Sequence, residues 1–477
     1  MEEIKLTKEY KNVWELINEE EKNNILNFAE YYKDFISSAK TERLSVKESL
    51  KIAKEKGFTE FKTDQKLKPG DRIYFINKNK NIILYIIGKN DIEKGIKILA
   101  AHIDSPRIDL KPNPMYEDGN LCLFDTHYYG GIKKYQWTTI PLALYGVMLN
   151  KENKIIEIGI GDDQNDPVFY ISDLLIHLAK DQMNKTLAEG VSAEKLNIII
   201  GSIPLIKNTE NNNEKDKQKN NLSIKENILK ILNEKYEISE EDFVGAEIEA
   251  VPAGKARDVG FDRSLILGYG HDDRSCSYAA LRAITDINQV PEKTLCVALV
   301  DKEEIGSYGN TGLESNFFEY TLLEVFNSLK GEVNILSFKR MLNSSLGISA
   351  DVTAGFDPTY AEVHDKKNTY FINKGVGIKK YTGSRGKSGA SDANAEFISK
   401  LRNFLSSKNI IWQSGELGKV DQGGGGTVAF LLARYNMEII DMGVPVLSMH
   451  SPLEVISKAD LYMTYKAYKA FLEDFNI

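Results

Sequence analysis

The stretch GIKILAAHIDS, Gly95 to Ser105, is apolar apart from Lys97 until it turns abruptly polar at His102. A short apolar run bounded by glycine and polar residues reads as a buried strand. In open α/β sheets, sites lie at the carboxyl ends of strands, so the change of character at His102 is where such a strand would deliver side chains to a cleft. The run NIILYIIG, Asn81 to Gly88, has the same form just upstream. Before it, Val13, Leu16 and Ile17, then Ile25, Leu26 and Phe28, recur at helical spacing.

Downstream the texture alternates. From about Pro106 to Val251, β-like runs such as VFYIS and KLNIIIGSIPLI surround many turn residues and one predicted helix, DLLIHLAKDQMNK, Asp173 to Lys185. After Gly254 come an apolar helix, RSCSYAALRAI, the strand TLCVALV, the helix TVAFLLARY and a last helix around ADLYMTYKAYKAFLEDF. Strands alternating with helices require a sheet covered on both faces. The expected architecture is therefore α/β, with residues 1–105 and 254–477 forming one domain with a mixed sheet, interrupted by a β-rich insertion over 106–253. Within the insertion, NTENNNEKDKQKNN, Asn208 to Asn221, is too polar to bury anything and reads as a disordered loop. No fixed-period repeat supports a solenoid.

The 477 residues are 42% apolar, enough for a sizeable core. The 69 acidic and 61 basic residues, net −8, are mixed along the chain rather than gathered into a basic face, which argues against a nucleic-acid partner. Cys122, Cys276 and Cys296 form no CxxC pair and read as reduced core thiols. The charged N-terminus lacks a signal-peptide core, and no apolar run approaches the ~20 residues needed to cross a bilayer. A cytosolic protein with no membrane association is expected.

Five clusters bear acids or histidines: AAHIDSP, GYGHDDRSC, LVDKEEIGS, GISADVTAG and MHSPLE. Histidine and carboxylate without thiolate is the donor set of a catalytic zinc, manganese or cobalt site rather than a structural zinc. His102 and Asp104, two residues apart, point to the same side of an extended chain, so Asp104 can orient the histidine as carboxylates do behind metal-bound imidazoles. Asp272 and Asp273 precede an apolar helix, where an N-cap or favourable first-turn charge can account for one of them, while a carboxylate with two oxygens can also bridge two cations. Glu303 and Glu304 are neighbouring acids at a strand end, where one can bind metal while the other takes a proton from the attacking water. Asp351 and His450 again follow apolar stretches. Two histidines and three carboxylates, with a spare glutamate as base, match two cations of four to five ligands bridged by one aspartate and one water. The run Gly423 to Gly426 lacks the GK[ST] of a phosphate loop and is expected to let backbone pass closely.

Taken in order, AAHIDSPRIDLKPNP, the DD before RSC, DKEEIGS, SADVTAGFDP and VPVLSMHSPLE resemble the motif set of the aspartyl aminopeptidase family, dinuclear metallopeptidases of the zinc exopeptidase clan. The resemblance spans nearly the whole chain. It implies that His102 binds one metal, Asp272 bridges both, Glu304 and Asp351 bind one each, and His450 completes the second. Glu303 would be the general base and Asp104 the partner of His102. It further implies two divalent ions, most naturally zinc with cobalt or manganese acceptable, peptide substrates with a free N-terminus, and a homo-oligomer. In that family the inserted domain dimerises and the particle is a dodecamer. His177 resembles a family histidine that reaches a neighbouring subunit's site and supports the oxyanion. Where better-known members carry histidines after the metal aspartate, this chain has Ala354 and Asp357, so its preference for an acidic or neutral first residue stays open; Arg385 and Lys387 are the basic candidates for an acidic one. A deacylase of the same clan, distinguished by a blocked substrate, and an inactive assembly protein are the rival readings.

Overall fold

The computed structural model describes residues 7–205, 223–383 and 386–477. The expected loop Asn208 to Asn221, and Arg385, lie outside the described residues. Internal contacts divide the chain into two bodies: Met1–Ser105 with Ala256–Met449 and Leu453–Ile477, and Pro106–Lys255 with His450–Pro452.

The first body is built on a nine-stranded mixed sheet. Its centre is three adjacent parallel strands, Leu295–Val300, Lys97–His102 and Leu346–Ala350, in register with Val300 beside His102 and Ser349 beside Ala100. Outside them Asn81–Ile86 pairs antiparallel on one side, and Glu438–Gly443 pairs parallel on the other. The alternation of strand side chains divides the core: Leu99, Ala101 and Ile103 pack with the helices Glu19–Ser38, Glu42–Glu55, His271–Thr285 and Lys458–Asp474. Ile98 and Ala100 pack instead with Phe317–Lys330, Ile335–Asn343 and Ala429–Ala433. Each buried leucine or isoleucine contributes about 1.5–3 kcal/mol, which is why these strands tolerate almost no polarity before their ends. The exception, Lys97, donates its ammonium to the Leu472 carbonyl at 3.0 Å, near the end of the last helix. The sheet covered by helices on both faces is the expected architecture.

A second, five-stranded sheet in this body runs Arg257–Val259, Leu265–Gly268, Glu454–Ser457, Pro445–Leu447 and Thr353–Ala354. It leads directly into two of the polar clusters. Gly268 is followed by the helix His271–Thr285, of whose residues only Arg282 is not buried.

In the second body the strands Arg107–Asp118, Leu121–Tyr129, Ile198–Gly201, Phe169–Ile171, Pro141–Leu149 and Glu247–Pro252 pair antiparallel in a closed ring, since Glu247–Pro252 pairs with both Arg107–Asp118 and Pro141–Leu149. The strand Ile155–Ile160 adds to Pro141–Leu149 and alternates exposed and buried residues strictly. The single helix expected over Asp173 to Lys185 is corrected by the structure, which has a 3-10 turn, Ile176–Leu178, and a separate short helix, Lys180–Met183. Leu174, Leu175, Ile176 and Leu178 are nearly consecutive rather than one helical stripe, and all are exposed. The Asp173 carboxylate accepts the Leu174 N–H and a Gln182 side-chain bond, which favours the turn over a regular helix. Cys122, Cys276 and Cys296 are buried and unbridged. Among the described residues no helix is long and apolar enough to cross a membrane.

Candidate functional site

Three of the polar clusters emerge at the carboxyl ends of the three central strands. His102 is the last residue of Lys97–His102, Glu303 and Glu304 follow Val300 by three and four positions, and Asp351 directly follows Ala350. The parallel register sets these ends side by side.

His102 is buried, and its Nδ1 bonds to the Asp104 carbonyl oxygen at 3.0 Å, with the Asp104 carboxylate 3.4 Å away. With Nδ1 so held, Nε2 faces the Asp272 carboxylate at 3.2 Å and the Glu303 carboxylate at 3.9 Å. Asp104 is fully buried and also holds a second segment, since its two oxygens accept the N–H groups of Glu303, at 3.1 Å, and Glu304, at 3.2 Å. The sequence led us to expect its carboxylate behind the imidazole; the structure shares that place with the backbone carbonyl and turns the carboxylate to the glutamate turn. That turn, Glu303–Ile305, is flanked by left-handed Lys302 and Gly306. Asp301 braces it, accepting from Thr311 Oγ1 at 2.6 Å and Lys302 Nζ at 2.7 Å.

The neighbouring aspartates separate. Asp272 faces His102, whereas the carboxylate of Asp273 accepts the Val352 N–H at 3.2 Å and so fixes the chain just after Asp351. Lys379, at the end of the strand Val376–Lys379, is buried and donates to the carbonyls of Asp351 at 3.1 Å and Val352 at 2.7 Å. Gly443 lies against the same segment, because a Cβ there would stand 2.1 Å from the Asp351 carbonyl oxygen. Lys379 and Gly443 carried no signal in the sequence beyond sitting at strand ends.

Charge is crowded here. Burial, joined by Asp351, Asp104 and Asp272 and opposed by His102, pushes the Glu303 carboxyl up to about 8. Burial likewise pushes Asp351 to about 6 against the pull of Lys379, and holds Asp273 well above the usual carboxylate range. His102 is raised: burial alone would lower it, and its bonds to Asp104 and Asp272 outweigh that. Buried carboxylates that repel one another call for cations. His102, Asp272 and Asp351 offer ligand atoms within 4.8 Å of one another, as do His102, Glu303 and Glu304. All are nitrogen or carboxylate oxygen donors, which fits a catalytic zinc-type ion.

His450 lies in the turn between Pro445–Leu447 and Glu454–Ser457, at a left-handed φ of 65°. Its Nδ1 bonds to the Gly131 carbonyl at 2.9 Å, within the second body, which places the lone pair on Nε2 as at His102. His177 is exposed in the 3-10 turn Ile176–Leu178 of the second body. Lys387 is exposed, bonded to Asp392 at 2.8 Å and placed 3.9 Å over the Tyr381 ring. Ala354 sits in the small sheet beside Pro445–Leu447, and Asp357 accepts the Thr359 N–H as the cap of the turn Pro358–Val363. Of the glycine run, Gly423 admits no side chain, since a Cβ would meet the Leu417 carbonyl oxygen at 1.6 Å.

Residues 35–472 match the family model described as Aminopeptidase I zinc metalloprotease (M18). A Clostridium acetobutylicum protein named a probable M18 family aminopeptidase 1 is 50% identical over 473 residues, covering 98% of this chain and 99% of that one. A crystal structure of an M18 family aminopeptidase from Thermotoga maritima superposes with a TM-score of 0.90 at 45% identity, over 98% of this chain and 100% of that one. The fold extends to a Saccharomyces cerevisiae structure described as the mApe1 dodecamer, with a TM-score of 0.73 at 20% identity, over 94% and 97% of the two chains. With the strand-end cluster of histidine and carboxylates in place, the chain belongs to the M18 zinc metalloproteases and is a metal-dependent aminopeptidase.

Proposed function

We propose that this aminopeptidase works with two divalent cations, one held by His102, Asp272 and Asp351, the other by Asp272, Glu304 and His450. The observation that carries the reading is the convergence of His102, Asp272 and Asp351 from three separate elements to within 4.8 Å in a buried space. Zinc suits the donor set, with cobalt or manganese as substitutes. When bound, the cations supply Lewis-acid polarisation of the scissile carbonyl and acidify water.

The chain's own groups do the rest. Glu303 takes the proton of the attacking water and returns it to the leaving amine, a role suited by its raised proton affinity and by the Asp104 bond that fixes its backbone. Asp104 orients His102 and the glutamate turn together. The free α-amine and the scissile carbonyl of a peptide substrate would bind at the cation pair. Lys387 is already engaged by Asp392 and Tyr381, and this supports a neutral rather than an acidic first residue.

The working particle is a homo-oligomer, a dodecamer built from dimers through the second body. Leu174, Leu175, Ile176, Leu178, Met183 and Leu187 are all exposed around His177, a stretch of apolar surface that a second copy would cover. His177 then supports the oxyanion in a neighbouring subunit. The three buried, unbridged cysteines suit a reducing cytosol. Substituting Glu303→Gln tests the chemistry: turnover falls while bound metal stays, whereas equal loss of both would refute the assigned division of labour.

A further inference from the structure

Asp441 is a buried carboxylate that no step of the chemistry above uses. It lies in the strand Glu438–Gly443, opposite Ser349 of Leu346–Ala350 on one side and opposite Lys379 of Val376–Lys379 on the other. Ser349 is fully buried, Asp441 is 1% exposed and Lys379 6%. Cross-strand partners share a face, so the three side chains form a polar row on the sheet face that Ile98, Ala100 and Ile439 otherwise keep apolar. Burying a charge in such a layer is costly unless it is compensated. Neither oxygen of Asp441 closes a hydrogen bond among the described residues. Burial opposes its charge, while Lys379 first, and then the hydroxyls of Ser349 and Thr427, favour it.

Lys379 stands in the complementary position. Two of its three ammonium protons go to the carbonyls of Asp351, at 3.1 Å, and Val352, at 2.7 Å. The carboxylates that act on it most strongly are Asp351 and then Asp441. A cation taken up by Asp351 cancels the first of these and sets a positive charge close to a buried ammonium. Like charges repel strongly in a low-dielectric interior. Asp441, one side-chain repeat behind Asp351 along the paired strands, is the counter-charge that remains. The bland role of such a pair is mutual neutralisation, which would affect overall stability without bearing on metal.

We propose that Asp441 is a positioning residue whose charge holds the Lys379 ammonium on the Asp351 and Val352 carbonyls and offsets its repulsion of the cation that Asp351 binds. The proposal rests on the reading of Asp351 as a ligand. Outer partners of metal ligands typically contribute about 10–100-fold in metal affinity.

The test is equilibrium titration of the chelator-stripped full-length protein with Zn²⁺ against a competing indicator. Wild type, D351N, D441N, K379M and K379M/D441N are compared, with Tm recorded for each. D351N should weaken one ion, which identifies the ion that Asp351 holds. D441N should weaken that same ion about 10–100-fold. K379M/D441N should bind it within about twofold of K379M alone, because a residue that acts through Lys379 has no further effect once Lys379 is gone. Unchanged binding of that ion by D441N overturns the proposal, as does an equal loss in both backgrounds. If D441N does not fold, K379M/D441N should recover the fold by removing the uncompensated ammonium, and failure to recover it overturns the proposal. A D351N protein that binds zinc as wild type does instead overturns the reading of Asp351 as a ligand, and the proposal with it.

Discussion

The ends of the central strands and the segment Ile171 to Leu187 carry chemistry in opposite ways. At the strand ends every group is over-held: His102 by Asp104, the glutamate turn by Asp104 and Asp301, and the chain after Asp351 by Asp273 and Lys379. Around His177 the backbone is a 3-10 turn followed by a helix of only 4 residues, with Leu174, Leu175, Ile176, Leu178, Met183 and Leu187 all exposed. Precision is built into the first region within one chain; the second presents exposed apolar surface, which in the proposed assembly a further copy covers. The same contrast separates what substitution should do in each.

The largest effect is expected at Glu303. Glu303→Gln should lower kcat by about 10²–10⁴-fold with zinc content unchanged, since a general base contributes on that scale. Parallel measurement of turnover and bound zinc decides it. Next, Gly443→Ala places a methyl group against the Asp351 carbonyl and should cost activity at least tenfold through displaced backbone. Activity and zinc affinity falling together would show it. If Gly443→Ala is silent, the strand ends are softer than the contrast requires.

On the other side, Ile176→Asp in the exposed stretch should leave the folded chain and its metal intact while shifting the particle to smaller species. Its turnover should fall as His177 loses its neighbour, with sedimentation and activity read on the same sample. A variant that stays fully assembled breaks the comparison from that side.

A smaller, signed effect concerns protons. In metal-stripped protein the Glu303 carboxyl sits at about 8, above its unfolded value, so its contribution to stability is present below the unfolded value and is lost as pH rises through 8. Tm of the stripped protein should therefore decline across roughly pH 5 to 9, and added zinc should flatten the decline. The smallest effect is expected at Lys387, where Lys387→Ala should change the ranking of first residues by less than about twofold because Asp392 already takes its charge.

The strand-end cluster of His102, Glu303, Glu304 and Asp351 was legible because these residues interrupt apolar runs, and polarity at the end of a buried strand is a strong local signal. The two-faced cover of the sheet followed from the same alternation. Lys379, Gly443 and the bond from Glu454 to Asp272 were not legible, because each acts across register pairs far apart in the chain. Asp104 was seen as a histidine partner, while its hold on Glu303 and Glu304, about 200 positions away, depends on two strands lying side by side. The expected helix at Asp173 to Lys185 failed for another reason: its composition favours a helix, but its apolar residues do not form one stripe.

The most direct test of the central claim is to count zinc against activity. Chelator-stripped protein is reloaded stepwise while metal per chain and cleavage of a free N-terminal aminoacyl substrate are followed together. Two ions per chain, with full turnover returning only as the second binds, is the expected result. Full turnover with a single ion per chain would contradict the account.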